Sequence, residues 1–112
     1  FLIQSNWASC FQKDSIDCII SNPPYIDKDD SHLADLKYEP ISALVSNFYG
    51  LEAFEIISQQ AKQLLKKDGL LLLEHGFDQS EHVEKIIYKN DLKLIRKIKD
   101  LSGNDRVILA QK

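Results

Sequence analysis

The chain has 112 residues, 44% of them hydrophobic and 28% charged, which excludes a disordered polyelectrolyte and fits one globular domain or part of one. A formal net charge of −3 argues against a protein that grips nucleic acid mainly through its phosphates, since that calls for a basic excess. No apolar run approaches the roughly 20 residues that span a bilayer and no signal peptide is visible, so the expectation is a cytoplasmic protein with no membrane partner.

Phe1 to Gln4 reads as a short strand. A chain that opens on an apolar strand without Met is expected to lack an upstream part. Trp7 and Phe11 then have a plain reading as core. Asp14 to Asp17 leads into Cys18-Ile19-Ile20, and Asn22-Pro23-Pro24 ends that run. A continuous apolar run predicts a central strand covered on both faces, as in parallel sheets. Cys18 inside it is expected as a buried free thiol. Cys10 and Cys18 form no CxxC pair, and the spacing of His32, His75 and His82 suits no metal, so none is expected. Tyr25 to Tyr49 is long and irregular, with Asp27, Asp29 and Asp30 on what reads as a solvated face. Such a loop inside a compact domain is more often functional than filler.

Leu51 to Lys67 is the clearest helix, with Leu51, Phe54, Ile57, Ala61, Leu64 and Leu65 on one stripe. Lys66 and Lys67 suit its negative end, and Gly69 suits a left-handed residue just past it. Leu70 to Leu73 is a second apolar run, closed by Glu74-His75-Gly76. Ser80 to Tyr88 predicts a helix with Val83, Ile86 and Ile87 inward. Leu92 to Ile98 reads as a strand that breaks register near Arg96. Arg106 to Ala110 is a last strand, and the turn-rich Leu101-Ser102-Gly103-Asn104 between these two predicts antiparallel pairing. Apolar strands alternating with amphipathic helices give an α/β fold with a mostly parallel sheet. Ligands of such sheets bind beyond the carboxyl ends of the strands, where Asn22-Pro23-Pro24-Tyr25 and Glu74-His75-Gly76 both fall.

The residues at the first of these ends suggest chemistry. A residue before proline is pushed out of the helical region, so Asn22 is held extended. Each proline fixes its own φ and lacks an N–H. The side-chain carbonyl of Asn22 and the backbone carbonyl of Pro23 are then two acceptors in a stiff arc, matched to the two donors of an NH2 group. Tyr25 adds a flat face for packing. The pattern describes a receptor for a planar group carrying NH2, such as a carboxamide or an adenine. The plain alternative is a proline turn that only ends a strand; Asn before, Tyr after and the apolar strand leading in favour a site. Glu74 could line the pocket or satisfy loop N–H groups. Arg106 at a strand start reads as a structural ion-pair partner.

Asn22-Pro23-Pro24-Tyr25 resembles the (D/N)PPY motif of class I S-adenosylmethionine-dependent methyltransferases that act on planar nitrogens. DNA adenine, RNA guanine and protein glutamine methyltransferases share it, so the motif alone does not choose. The flanks do. Ile20-Ser21 before it and Ile26-Asp27 after it, Tyr38-Glu39-Pro40 with Ala43-Leu44, Leu71-Leu72-Leu73-Glu74-His75-Gly76 and Asn104-Asp105-Arg106-Val107 resemble the release-factor glutamine methyltransferase family. They occur in that family's order and at similar spacing, across nearly the whole chain.

The resemblance implies a Rossmann-like class I methyltransferase sheet, here partial and lacking the first two strands, with residues 1–112 as the C-terminal part of the catalytic domain. The family's Gly-rich cofactor loop and helical N-terminal domain have no counterpart in these residues. It implies S-adenosyl-L-methionine as cofactor and a glutamine-bearing loop of a peptide-chain release factor as partner. Asn22 and the Pro23 carbonyl would hold the substrate NH2, Pro24 would belong to the same substrate-binding corner, and Tyr25 would pack on the carboxamide. Asn6, Trp7 and Asn22 would meet the cofactor, with Asn6 standing where the family commonly carries Asp. Two rivals stand beside this reading. One is an adenine-N6 methyltransferase that stacks a flipped base on Tyr25. The other is an inactive fragment that self-associates through an unpaired strand edge.

Overall fold

The computed structural model describes residues 1–24, 26, 27, 45, 46 and 50–112. Along these the elements are β1 (Ile16–Ser21), β2 (Ile26–Asp27), β3 (Val45–Ser46), α1 (Glu52–Leu64), β4 (Leu65–Glu74), α2 (Ser80–Lys89), β5 (Lys93–Lys99) and β6 (Asp105–Gln111). Four strands make one sheet in the order β1-β4-β6-β5. β1 runs parallel to β4, while β6 is antiparallel to both β4 and β5. The expected antiparallel final pair and the register break near Arg96 are both present. β2 and β3 form a separate two-stranded parallel pair, Ile26 opposite Val45 and Asp27 opposite Ser46. Two-residue strands carry no periodic signal, so nothing in the sequence announces them.

Both helices cover one face of the sheet. Ala53, Phe54, Ile57, Ala61 and Leu64 recur at helical spacing along α1 and are buried, as are Val83, Ile86 and Ile87 along α2. They close over Leu71 and Leu73 of β4 and Ile108 and Ala110 of β6, all fully buried. Burying one such Leu, Ile or Phe stabilises the fold by roughly 1.5–3 kcal/mol, so this single layer holds the domain together. The residues between them, Leu70, Leu72, Val107 and Leu109, face the other way and are only half-buried.

Several sequence expectations are corrected. Phe1 to Gln4 forms no strand and is exposed; β propensity cannot hold four residues that have no ladder partner among the described residues. Among the described residues β1 is an edge strand, as the reading of a partial sheet with an unpaired edge expects, and not the strand covered on both faces that its apolar run suggests. Ile20 is 75% exposed and Cys18 is exposed, so the thiol is free but not buried. Trp7 and Phe11 are exposed rather than core.

The long helix is shorter than expected and stops at Leu64, with Leu65 already extended (φ −64, ψ 138). Its last carbonyls are capped from outside: the N–H groups of Asp14 and Ser15 donate to the carbonyls of Gln63 (3.1 Å) and Leu64 (2.9 Å). A glycine cap is therefore not needed. Lys66 and Lys67 lie on β4, where Lys66 pairs with Asp17 at 2.7 Å. The left-handed residue of this stretch is Asp68 (φ 65), not Gly69. Gly69 is required by crowding, since a Cβ there would lie 2.9 Å from the Lys66 carbonyl oxygen.

Candidate active site

β1 and β4 are parallel, so their carboxyl ends share one edge of the sheet. The paired register ends at Ser21 opposite Leu73. Asn22 and Pro23 follow Ser21 at this edge, as Glu74 and His75 follow Leu73. Pro23 is buried, Pro24 half-buried and Asn22 exposed. The prolines anchor the corner, and Asn22 is open to solvent beside them. Tyr25 lies outside the described residues, as do Asp29, Asp30, His32 and the stretch Tyr38 to Leu44.

Trp7 is brought to the same strand. It lines a shallow cavity of about 160 Å³ with Ala8, Ile19, Ile20, Ser21, Ile57 and Gln60. The Ser5–Phe11 turn is fastened over β1 by the Ala8 N–H, which donates to Gln60 Oε1 at 2.9 Å. Trp7 takes a left-handed φ of 54 in this turn. Asn6 is exposed; its carbonyl accepts from the Ser9 N–H, and its side chain does not line the cavity. Among the described residues, then, Trp7 and the end of β1 share a cavity, while Asn6 stands apart from it. Gln60 was not singled out in the sequence, because a polar residue on a helix carries no signal of its tertiary partner.

The end of β4 is built differently. The His75 N–H continues the ladder to the Arg106 carbonyl at 2.9 Å. The imidazole is fully buried, and its Nδ1 lies 2.8 Å from the Gly76 carbonyl oxygen, so Nδ1–H donates there. The Gly76 N–H donates to Gln79 Oε1 (2.9 Å), and the Gln79 N–H returns to the Gly76 carbonyl (3.0 Å). A Cβ on Gly76 would lie 3.0 Å from Gln79 Oε1 and 3.2 Å from Asp78 Oδ1, so a larger residue would push these side-chain ends aside and loosen the turn. Glu74 is half-buried, and no hydrogen bond holds its carboxylate among the described residues. His82 is exposed.

Arg106 is structural, as expected. Its guanidinium donates to the His75 carbonyl and to Asp100 Oδ2, both at 3.2 Å. Asp100 in turn accepts from the backbone N–H groups of Ser102 (2.9 Å) and Asn104 (3.0 Å). The Asn104 N–H, then Arg106 and the Ser102 N–H, hold the Asp100 carboxyl below the usual carboxylate range. Asp105 is likewise lowered, first by Lys99 and then by the Ser80 hydroxyl. The Glu84 carboxylate raises Lys97. No group of three or more His, Cys, Asp or Glu that could hold a metal occurs among the described residues, and no helix among them is long and apolar enough to cross a membrane.

No protein-family model matches the chain. Individual proteins do. A release factor glutamine methyltransferase of Pasteurella multocida is 46% identical over 111 residues, covering 96% of this chain and 37% of its own length. That of Haemophilus influenzae is 41% identical over 110 residues, with the same coverage. The chain thus spans under two fifths of the length of these relatives. Among solved structures, TTHA0409 of Thermus thermophilus, provisionally named a DNA modification methylase, superposes with a TM-score of 0.61. It covers 93% of this chain and 48% of that one at 16% identity. That likeness establishes the fold: the four-stranded sheet and its two helices are part of a class I methyltransferase fold.

Proposed function

Because the chain is related along nearly its whole length to part of the release factor glutamine methyltransferases, we propose that it carries the acceptor side of such an enzyme. Residues 1–112 would be the C-terminal part of its catalytic domain, working in the cytoplasm. The reaction is transfer of a methyl group to the side-chain nitrogen of a glutamine in a peptide-chain release factor. The observation that carries the reading is the placement of Asn22-Pro23-Pro24 at the carboxyl end of β1, within a sequence match that runs through it.

The cofactor of this chemistry is S-adenosyl-L-methionine, whose sulfonium supplies the methyl group. Its fit here is partial. The cavity at Trp7 is about 160 Å³, below the roughly 300–1,000 Å³ of complete small-molecule sites. Trp7, with Asn6 and Asn22 near it in sequence or strand, is assigned to the adenine end only. The described residues do not make a full cradle for the cofactor.

The chain's own work is to hold the acceptor. An amide nitrogen is a poor nucleophile because its lone pair is delocalised into the carbonyl. Asn22 Oδ1 and the Pro23 carbonyl accept the two NH2 hydrogens, turn the nitrogen toward the incoming methyl group and stabilise positive charge growing on it. Pro24 stiffens the arc and Tyr25 packs on the carboxamide plane. No strong base is required before transfer; the methylated, positively charged nitrogen then loses one of its two protons to water, leaving the neutral N-methyl amide.

The rival acceptor is an adenine amino group, favoured by the name of the structural neighbour from Thermus thermophilus. A shared fold at 16% identity does not choose an acceptor, and the net charge of −3 disfavours a phosphate-gripping surface. Offering the complete protein a release factor and duplex DNA together, with labelled cofactor, tests the reading. Label on the protein acceptor with weak salt dependence is expected. Label on DNA with steep salt dependence would replace the reading by its rival.

A further inference from the structure

The carboxyl edge that carries Asn22 does not end at β4. β5 is parallel to β4 through their common neighbour β6, so the β5–β6 turn, residues 100–104, projects from the same edge. Along that edge, in sheet order, stand the Asn22-Pro23-Pro24 corner, the Gly76–Gln79 turn and the Asp100–Asn104 turn. Each of the latter two lifts one large apolar side chain into water. Phe77 is 65% exposed and Leu101 is fully exposed.

Neither side chain stabilises the fold, yet both turns are rigidly built. The first is held by the buried His75 and Gln79 on Gly76. The second is held by the Asp100 carboxylate on Ser102 and Asn104, with the Asp100 N–H donating to the Asn104 carbonyl at 2.9 Å. Arg106 joins them, with one nitrogen on the His75 carbonyl and another on Asp100. Single exposed apolar residues are ordinary. Two of them on stiff, mutually braced turns, on the same sheet edge as the groups assigned to the acceptor, form a pre-organised contact that loses little entropy on binding.

We propose that Phe77 and Leu101 are docking residues for the methyl-acceptor protein: they seat apolar side chains that flank its target glutamine and so deliver the glutamine to Asn22. This rests on the glutamine methyltransferase reading and adds what that reading lacks, a reason why a folded protein rather than free glutamine is the substrate.

The test is steady-state methylation of a release factor by the complete protein, as wild type and as Phe77→Ser, Leu101→Ser and the double variant. Both positions are exposed, so thermal midpoints should match wild type. Each single change should raise KM for the protein acceptor about fivefold and the double more, with kcat within about twofold. A short glutamine peptide lacking the flanks should be methylated equally by wild type and double variant. Asn22→Ala is run alongside and should lower kcat. If wild type and Asn22→Ala behave so but the double variant keeps the wild-type KM, the docking proposal is wrong and the function stands. If wild type methylates no release factor, both fall.

Discussion

The two ends of the carboxyl edge are built on opposite principles. At the β4–β6–β5 end, polar groups are consumed by one another: His75 on Gly76, Gln79 on Gly76, Arg106 on Asp100 and His75. At the β1 end the strand is half bare, Ile20 is 75% exposed and the Asn22 side chain is open to solvent. Motif residues at the first end are mostly scaffold, because Arg106 and the Gly76–Gln79 turn spend their hydrogen bonds on one another and on Asp100, while the Glu74 carboxylate and the buried His75 Nε2 are left without a hydrogen bond among the described residues. Those at the second end are free to meet a ligand. Occurring in a motif does not tell the two apart; what each polar group is bonded to does.

The comparison breaks most visibly under core truncation. Leu73→Ala removes a fully buried side chain beneath both helices and should cost about 2–5 kcal/mol. Ile20→Ala on the exposed side of β1 should cost about 0.5 kcal/mol or less. Urea unfolding of both variants checks this; equal losses would mean that β1 is as deeply packed as β4.

Next in size is Asn22→Ala. Loss of one preorganised acceptor should slow single-turnover methyl transfer by about 10²–10³, while stability barely moves because the side chain is exposed. A large stability loss with the rate retained would transfer Asn22 to the scaffold.

Much of this division was legible in the sequence and part was not. The α1 stripe, α2, the Leu70–Leu73 run and the antiparallel final pair followed from periodicity and turn residues, since burial against one layer writes itself as a 3.6- or 2-residue period. The Asn22-Pro23-Pro24 corner was legible because proline constrains its neighbours locally. The end of α1 was not. The sequence offered Lys66, Lys67 and Gly69 as a stop, but Asp14 and Ser15, far away in the chain, supply the cap. The exposure of Cys18 was missed for a related reason, since an apolar run shows that a strand can be buried, not that two layers are present to bury it; the bare edge followed only from the resemblance to a longer family.

The β1 edge itself gives a third test. A strand edge with no partner among the described residues, flanked by exposed Ile20, Trp7 and Phe11, is a template for another chain. The isolated 112-residue chain should self-associate as its concentration rises in sedimentation, and should bind S-adenosylmethionine weakly. A monomer at all concentrations would show that this edge is covered.

The smallest expected effect is electrostatic. Asp100 and Asp105 have carboxyl groups lowered by hydrogen bonds and by Arg106 and Lys99. A lowered carboxyl stabilises the fold above its unfolded-state value, and that contribution is lost as pH falls through the folded value. Stability should therefore be flat through neutral pH and decline in acid below the ordinary carboxylate range. Asp100→Asn should blunt the acid limb. An unchanged limb would mean that the Arg106 brace is not held by charge.

The most direct test of the central claim is to locate the transferred methyl group. The complete protein, given S-adenosylmethionine and a release factor, should place it on the side-chain nitrogen of one glutamine, as read by peptide mass spectrometry, and Asn22→Ala should abolish that mark while His75→Asn largely keeps it. A methyl group on any other atom, or a mark that survives Asn22→Ala and vanishes with His75→Asn, would contradict the assignment of chemistry to the β1 end and scaffolding to the β4 end.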